Sequence, residues 1–276
     1  MTCILKFTWI LFTCWGCAVR AATPPAAESS ARQVVAAAAE PAAPATPVAP
    51  ADPVQLLQAA LKDPAACTAL DLSKRGDKVL DRIPPEIGAL VNLVKLNLSG
   101  NDLTELPVEI GKLTKLEELD LTGNVQLTSL PAEIGELVSL KKLILSRTAV
   151  KELPVSLGKL QNLEVLDCYA TELKKFPEGM GKLEKLEVLD LSGTWCTDHL
   201  GELSELVPNV RILKLNHLQI GFSELGFTPR LKKLIQLEFE CTNANLFIKN
   251  VKELVPNTRV INSGPRRSPE VDPVCS

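Results

Sequence analysis

Along most of the chain, apolar and polar residues return in one phrase, Leu-x-x-Leu-x-Leu-x-x-Asn/Thr. The phrase starts at Cys67, Leu93, Leu116, Leu140, Leu163, Leu186, Val210 and Leu234, with a fragment at Thr258. The intervals are 26, 23, 24, 23, 23, 24, 24 and 24 residues. In the copy that begins at Leu93, Leu96 and Leu98 alternate with Lys95, Asn97 and Ser99. Alternation with period two predicts a short strand with its leucines turned inward. Asn101 follows at the ninth position, where a side-chain amide can satisfy turn groups that the strand leaves free. Leu103, Leu106-Pro107, Ile110-Gly111 and Leu113 complete the copy. The proline ends the extended stretch, and the glycine is expected to permit a tight return. Each copy therefore predicts one strand, one turn and one return segment, either a short helix or a 3₁₀ turn.

One copy cannot bury its own leucines, but a stack of copies can, with strands adding in parallel about 4.8 Å apart. A fixed period in the twenties with this leucine pattern marks a leucine-rich-repeat solenoid. The expected class is α/β: a right-handed horseshoe with a parallel sheet on the concave face and short helical or 3₁₀ segments on the convex face. The ninth position reads Asn101, Asn124, Thr148, Thr171, Thr194, Leu218 and Thr242. That series predicts a mixed Asn/Thr ladder.

The wording Leu106-Pro107-x-x-Ile110-Gly111-x-Leu113 recurs as Leu130-Pro131-x-x-Ile134-Gly135-x-Leu137. Looser copies are Ile83-Pro84…Ile87-Gly88, Leu153-Pro154…Leu157-Gly158 and Phe176-Pro177…Met180-Gly181. It resembles the repeats of the Ras-suppressor and scribble-like group and of many bacterial leucine-rich-repeat proteins. The resemblance spans roughly residues 67 to 260. It implies protein recognition through the concave face, without catalysis and without a cofactor. Eukaryotic members of that group are cytosolic, whereas this chain carries an export signal.

That signal is Lys6 followed by the 13-residue apolar run from Phe7 to Val19. The run is short for a membrane span and fits the apolar core of a signal peptide. Residues 1–22 are read as a signal peptide, and secretion or residence in the periplasm or cell envelope is expected. An uncleaved anchor is a rival reading. So is a lipoprotein, although Cys14 stands where the Gly16-Cys17 motif would want leucine. Membrane contact is expected only if the leader is retained or lipidated.

Residues 23–51, dominated by Ala and Pro, form a semi-extended linker in this reading. Residues 52–66 are read as a capping helix, with Asp52 as N-cap and Pro53 at the first helical position. Residues 67–262 are the repeat domain of about eight copies, and 263–276 a tail too short for a further domain. Beyond the leader, Cys67, Cys168, Cys196, Cys241 and Cys275 are odd in number and widely spaced, which is no disulfide framework. Buried thiols acting as small apolar groups are expected. Cys241–Cys275 is the one pair considered for a bridge.

A net charge of −3 offers no basic stripe, so a nucleic-acid partner is not expected. Function is sought on the outward strand positions. Val165, Val188 and Ile212 form an apolar stripe there, with Ile144 and Tyr169 beside it. Exposed apolar surface and tyrosine mark partner sites, while β-branched residues also simply suit strands. Asp167 and Asp190 would orient a basic group of the partner, and Trp195 would make an edge contact. Calcium needs about six to eight oxygens, and no Asp-x-Asp-x-Asp loop is present, so no metal is expected. His217 and Cys241 share the eighth position on adjacent strands with Glu240 nearby, a remote candidate for a Cys/His enzyme. With no oxyanion hole and no third group to fix the imidazole, the expected reading is non-catalytic. An envelope-tethered structural or polysaccharide-binding protein is the alternative to protein recognition.

Overall fold

The computed structural model describes residues 52–74, 77, 79–218, 225–239 and 251–262. The chain divides into two units, Met1–Thr46 and Pro47–Ser276, and all described residues lie in the second. The leader at 1–22, the 23–51 linker, Glu240, Cys241, Cys275 and the 263–276 tail fall outside the described residues.

Nine strands run in parallel in one sheet, ordered as in the sequence. They are β1 (Ala69–Asp71), β2 (Lys95–Asn97), β3 (Glu118–Asp120), β4 (Lys142–Ile144) and β5 (Val165–Asp167), then β6 (Val188–Asp190), β7 (Ile212–Leu215), β8 (Gln236–Phe239) and β9 (Arg259–Asn262). The fragment expected at Thr258 thus completes a ninth strand. Its register sets Arg259 against Gln236, the third residue of its repeat, so the last copy begins at Asn257 and not at Thr258. Alternation decides the frame: Val260 pairs with buried Leu237.

The leucines form columns through the stack. Leu96, Leu119, Leu143, Leu166, Leu189, Leu213 and Leu237 are register neighbours and essentially without solvent contact. Burying one such side chain contributes about 1.5–3 kcal/mol. At one end the helix α1 (Pro53–Lys62) covers the stack with Leu57. Asp52 caps it, its carboxylate accepting from Val54 N at 3.0 Å.

The return segments are 3₁₀ turns at Pro85–Ala89, Val108–Lys112, Ala132–Glu136, Val155–Lys159 and Glu178–Lys182. The four from Val108 onward each follow a proline in extended conformation, Pro107, Pro131, Pro154 or Pro177, and Pro84 precedes the first. The glycine of the Ile-Gly wording has a different job from the one its sequence suggests. It does not need a left-handed backbone. A Cβ on Gly135 would lie 2.3 Å from the carbonyl oxygen of Ser156 in the next turn. Gly88, Gly111, Gly135 and Gly158 let successive convex segments approach, where a side chain would collide with the next turn, while Gly181 has room for one. In the copy from Leu186 the proline wording is absent, and a longer 3₁₀ segment, Thr197–Glu202, leads into a four-residue helix, Leu203–Leu206.

The ninth-position ladder is mixed, and its two residue types act differently. Asn124 donates to Leu121 O at 2.7 Å within its own copy and to Leu98 O at 3.0 Å in the preceding one, and it accepts from Leu103 N. Asn101 bridges Leu72 O, Leu98 O and Leu80 N in the same manner. Thr148, Thr171 and Thr194 donate only to Leu145 O, Cys168 O and Leu191 O of their own copies. The shorter side chain closes the turn without tying neighbours together.

Cys168 and Cys196 are buried, Cys67 is half-buried, and all three are free thiols. Burial pushes the Cys168 thiol well above its ordinary pKa and raises that of Cys196. Among the described residues no helix is long and apolar enough to cross a membrane.

Candidate functional site

The register places the outward residues in rows. The first runs Lys142, Val165, Val188, Ile212, Gln236, and the second Ile144, Asp167, Asp190, Lys214, Glu238. Beyond the strand ends a third follows: Ser146, Tyr169, Ser192, Asn216. Val165, Val188 and Ile212 are each half-buried on the open face of β5, β6 and β7, adjacent strands about 4.8 Å apart. Ile144 and Tyr169 are half-buried too; Ile144 lies in the second row beside Asp167, and Tyr169 stands beyond Asp167 in the third.

The acidic column is occupied by the protein itself. Asp71, Asp120, Asp167 and Asp190 each accept a backbone N–H two residues on, from Ser73, Thr122, Tyr169 and Ser192, at 2.9 to 3.0 Å. Asn97 does the same for Ser99. These side chains close the turn at the end of each strand. Asp167 also accepts from Ser146 Oγ at 2.7 Å. Asp190 lies 3.6 Å from Lys214 Nζ.

Three outward positions, Ser146, Asp190 and Ser192, are less open than the strand pattern suggests. Asp190 and Ser192 are buried, because Ser192 is packed into the turn and its hydroxyl accepts from Asn216 N at 3.0 Å. Burial holds the Asp190 carboxyl above the usual carboxylate range, against the hydrogen bonds from Ser192 that lower it.

The eighth position carries a backbone constraint. Gly100, Gly123 and Gly193 have φ of +72°, +75° and +66°, while Arg147, Ala170 and His217 hold the same left-handed conformation at +57°, +53° and +57°. The Arg147 guanidinium carbon lies 5.9 Å from the centre of the Tyr169 ring, and the His217 ring is 6.3 Å from it on average geometry between centroids. Cys241, the other half of the conceived dyad, is outside the described residues.

Trp195 is two-thirds exposed. It stands in the loop after Thr194, with its backbone N–H bound to Leu173 O at 2.9 Å, so it edges the sheet and does not belong to the rows. A shallow depression of about 390 Å³ lies instead over β1–β4, among Asp71, Asn97, Glu118, Asp120 and Lys142. Its lining is mixed, charged and amide side chains alternating with Ala69, Leu70, Leu96 and Leu119, and it meets the apolar group only at Ile144. Among the described residues no cluster of His, Cys, Asp or Glu is arranged to hold a metal ion.

Sequence reasoning found the apolar rows but missed the turn-closing role of the aspartates and missed Arg147. Both had signals: Asp-x-Ser/Thr/Tyr recurs at the strand ends, and the eighth position is Gly in three copies and another residue in the other five.

The family model described as a leucine-rich repeat region matches residues 119–255, and a model of two leucine-rich repeats matches 91–133. No curated protein matches the chain. Among solved structures, the leucine-rich-repeat domain of the type III effector XopL is 25% identical with a TM-score of 0.52, over 75% of this chain and 71% of that one. The PEPR1–AtPEP1 structure is 20% identical with a TM-score of 0.51, and the match covers 73% of this chain but only 29% of that one. A leucine-rich-repeat protein of Leptospira interrogans is 18% identical with a TM-score of 0.28, over 74% of this chain and 98% of that one. With its nine-stranded parallel sheet, its 3₁₀ returns and the two family-model matches, the chain is a leucine-rich-repeat protein.

Proposed function

We propose that this chain is an exported, non-catalytic recognition module that holds a protein ligand on the concave face of its sheet. Leucine-rich-repeat domains are typically protein-interaction scaffolds. The observation that carries the reading is the adjacency of Val165, Val188 and Ile212 on the open face of β5–β7, with Ile144 and Tyr169 beside them. Apolar residues adjacent on neighbouring strands, as Val165, Val188 and Ile212 are, with polar side chains around them, are the usual anatomy of a partner site. Asp167 and Asp190 line its second row and fix the local backbone, and Trp195 supplies an aromatic contact at the edge. Export rests on the leader at residues 1–22.

Val188→Lys places a charge at the centre of the apolar group without touching the leucine columns. The expected result is loss of partner capture with the thermal midpoint nearly unchanged. Undiminished capture by the variant would sink the site assignment.

The leader and the Ala/Pro stretch after it favour one further reading, an envelope-tethered structural or polysaccharide-binding protein. Intact mass and detergent partitioning decide it. A retained or lipidated leader supports tethering, and a water-soluble species lacking residues 1–22 supports release.

A further inference from the structure

If the concave face is the binding face, the charges around its apolar group select the partner. Lys142, Arg147, Asp167, Asp190, Lys214 and His217 are the ionisable side chains of β4–β7 and their following turns on this side. The aspartates are engaged. Asp167 accepts from Tyr169 N and Ser146 Oγ, and Asp190 from Ser192 N, with Lys214 3.6 Å away. His217 packs near Tyr169.

The two cations of the β4 copy differ. Glu118, the register neighbour of Lys142, is taken by Lys95 at 3.0 Å. The Arg147 guanidinium lies over Tyr169, and among the described residues no carboxylate is within ion-pair distance of it. Arg147 also stands at a left-handed position that three sister copies give to glycine. An arginine there costs backbone energy, and it sets a planar, five-donor group beside Tyr169, on the far side of the Asp167 row from the valines.

We propose that the occupant is an extended peptide segment of a protein partner that carries an Asp or Glu side chain next to aliphatic residues. The aliphatic side chains cover Val165, Val188 and Ile212, and the carboxylate pairs with Arg147. The three apolar residues span two strand spacings, about 10 Å, which an extended segment of about three residues crosses. A fork-on-carboxylate contact beside an aromatic ring is geometrically specific. A basic segment would meet Lys142 and Arg147 uncompensated, and the Asp167 and Asp190 carboxylates are held against their own turns.

The test is selection of a random 12-residue phage-displayed library on the full chain, followed by titration of the selected peptides against three variants. Arg147→Gln keeps the side-chain length and removes the charge, Arg147→Lys keeps the charge, and Val188→Lys disrupts the apolar group. Far-UV circular dichroism checks that each is folded. The expected peptides carry Asp or Glu beside Val, Leu or Ile. Their Kd should rise about ten-fold on Arg147→Gln and less on Arg147→Lys. Changing the peptide's acid to its amide should cost wild type about the same ten-fold and should cost Arg147→Gln nothing, and binding should weaken with salt.

Aliphatic peptides lost on Val188→Lys but indifferent to residue 147, or enrichment of basic peptides, would overturn this inference and leave the concave-face reading in place. Peptides indifferent to Val188→Lys, or no enrichment at all, would overturn both.

Discussion

At the scale of single residues, the convex glycines and the left-handed positions solve different problems. Gly135→Ala drives a methyl group into the Ser156 carbonyl. Overpacking of this kind should cost about 1–3 kcal/mol. Gly181 offers a control, since its nearest neighbour would be 3.9 Å away. Urea unfolding should show Gly135→Ala clearly destabilised and Gly181→Ala close to wild type; equal effects would contradict the close-approach account. Asp190 gives a pH-dependent prediction. Burial raises its folded pKa above the unfolded value of about 3.9, so the folded state binds its proton more tightly. The cost of the buried charge is fully present at neutral pH and is relieved as pH falls through the folded pKa towards the unfolded one. Asp190→Asn keeps an acceptor for Ser192 N and has no such dependence. The variant should therefore lose ground to wild type on going from pH 7 to about pH 4, and a constant difference would contradict the assignment. Buried Cys168 and Cys196, held protonated at neutral pH, should resist alkylation in the folded protein. Labelling at Cys241 under the same conditions is what a Cys/His enzyme would require.

At the scale of elements, the asparagines tie neighbouring copies together and the threonines do not. Asn124→Thr would leave Leu103 N without its side-chain acceptor, while Leu98 O keeps the Asn101 amide. Losing that acceptor costs about 1–3 kcal/mol where the group stays buried, so a drop of that order in unfolding free energy is expected. Thr148→Asn should stabilise by about 1 kcal/mol if the longer side chain reaches the preceding copy. No effect from either change would mean that the ladder does not couple the copies. These elements were largely legible beforehand. Period two gave the strands, Leu-Pro marked the return segments, and Asp52-Pro53 marked α1. The copy from Leu186 was less legible because its return lacks the proline, so a 3₁₀ segment and Leu203–Leu206 form where the repeat wording says nothing. The frame of β9 slipped by one residue for a related reason: its first position is Asn257, which carries no leucine to mark it.

At the scale of the repeat domain, buried leucine columns make the scaffold and the outward rows make the surface. The sequence alone could place Val165, Val188 and Ile212 side by side, because a constant repeat length converts spacing into register. It could not show that the neighbouring aspartates are spent on their own turns. Nor could it show that Arg147 lies over Tyr169, since both depend on side-chain geometry beyond the strand ends. Two features share the surface: a depression of mixed lining over β1–β4 and an apolar group over β4–β7. Recognition through the second is decided most directly by cross-linking capture from envelope and secreted fractions with the full chain, Val188→Lys, and Val108→Lys as a control on the exposed convex face. A partner captured by wild type and by Val108→Lys but lost with Val188→Lys is the expected result. Equal capture by Val188→Lys, or loss confined to Val108→Lys, would contradict it.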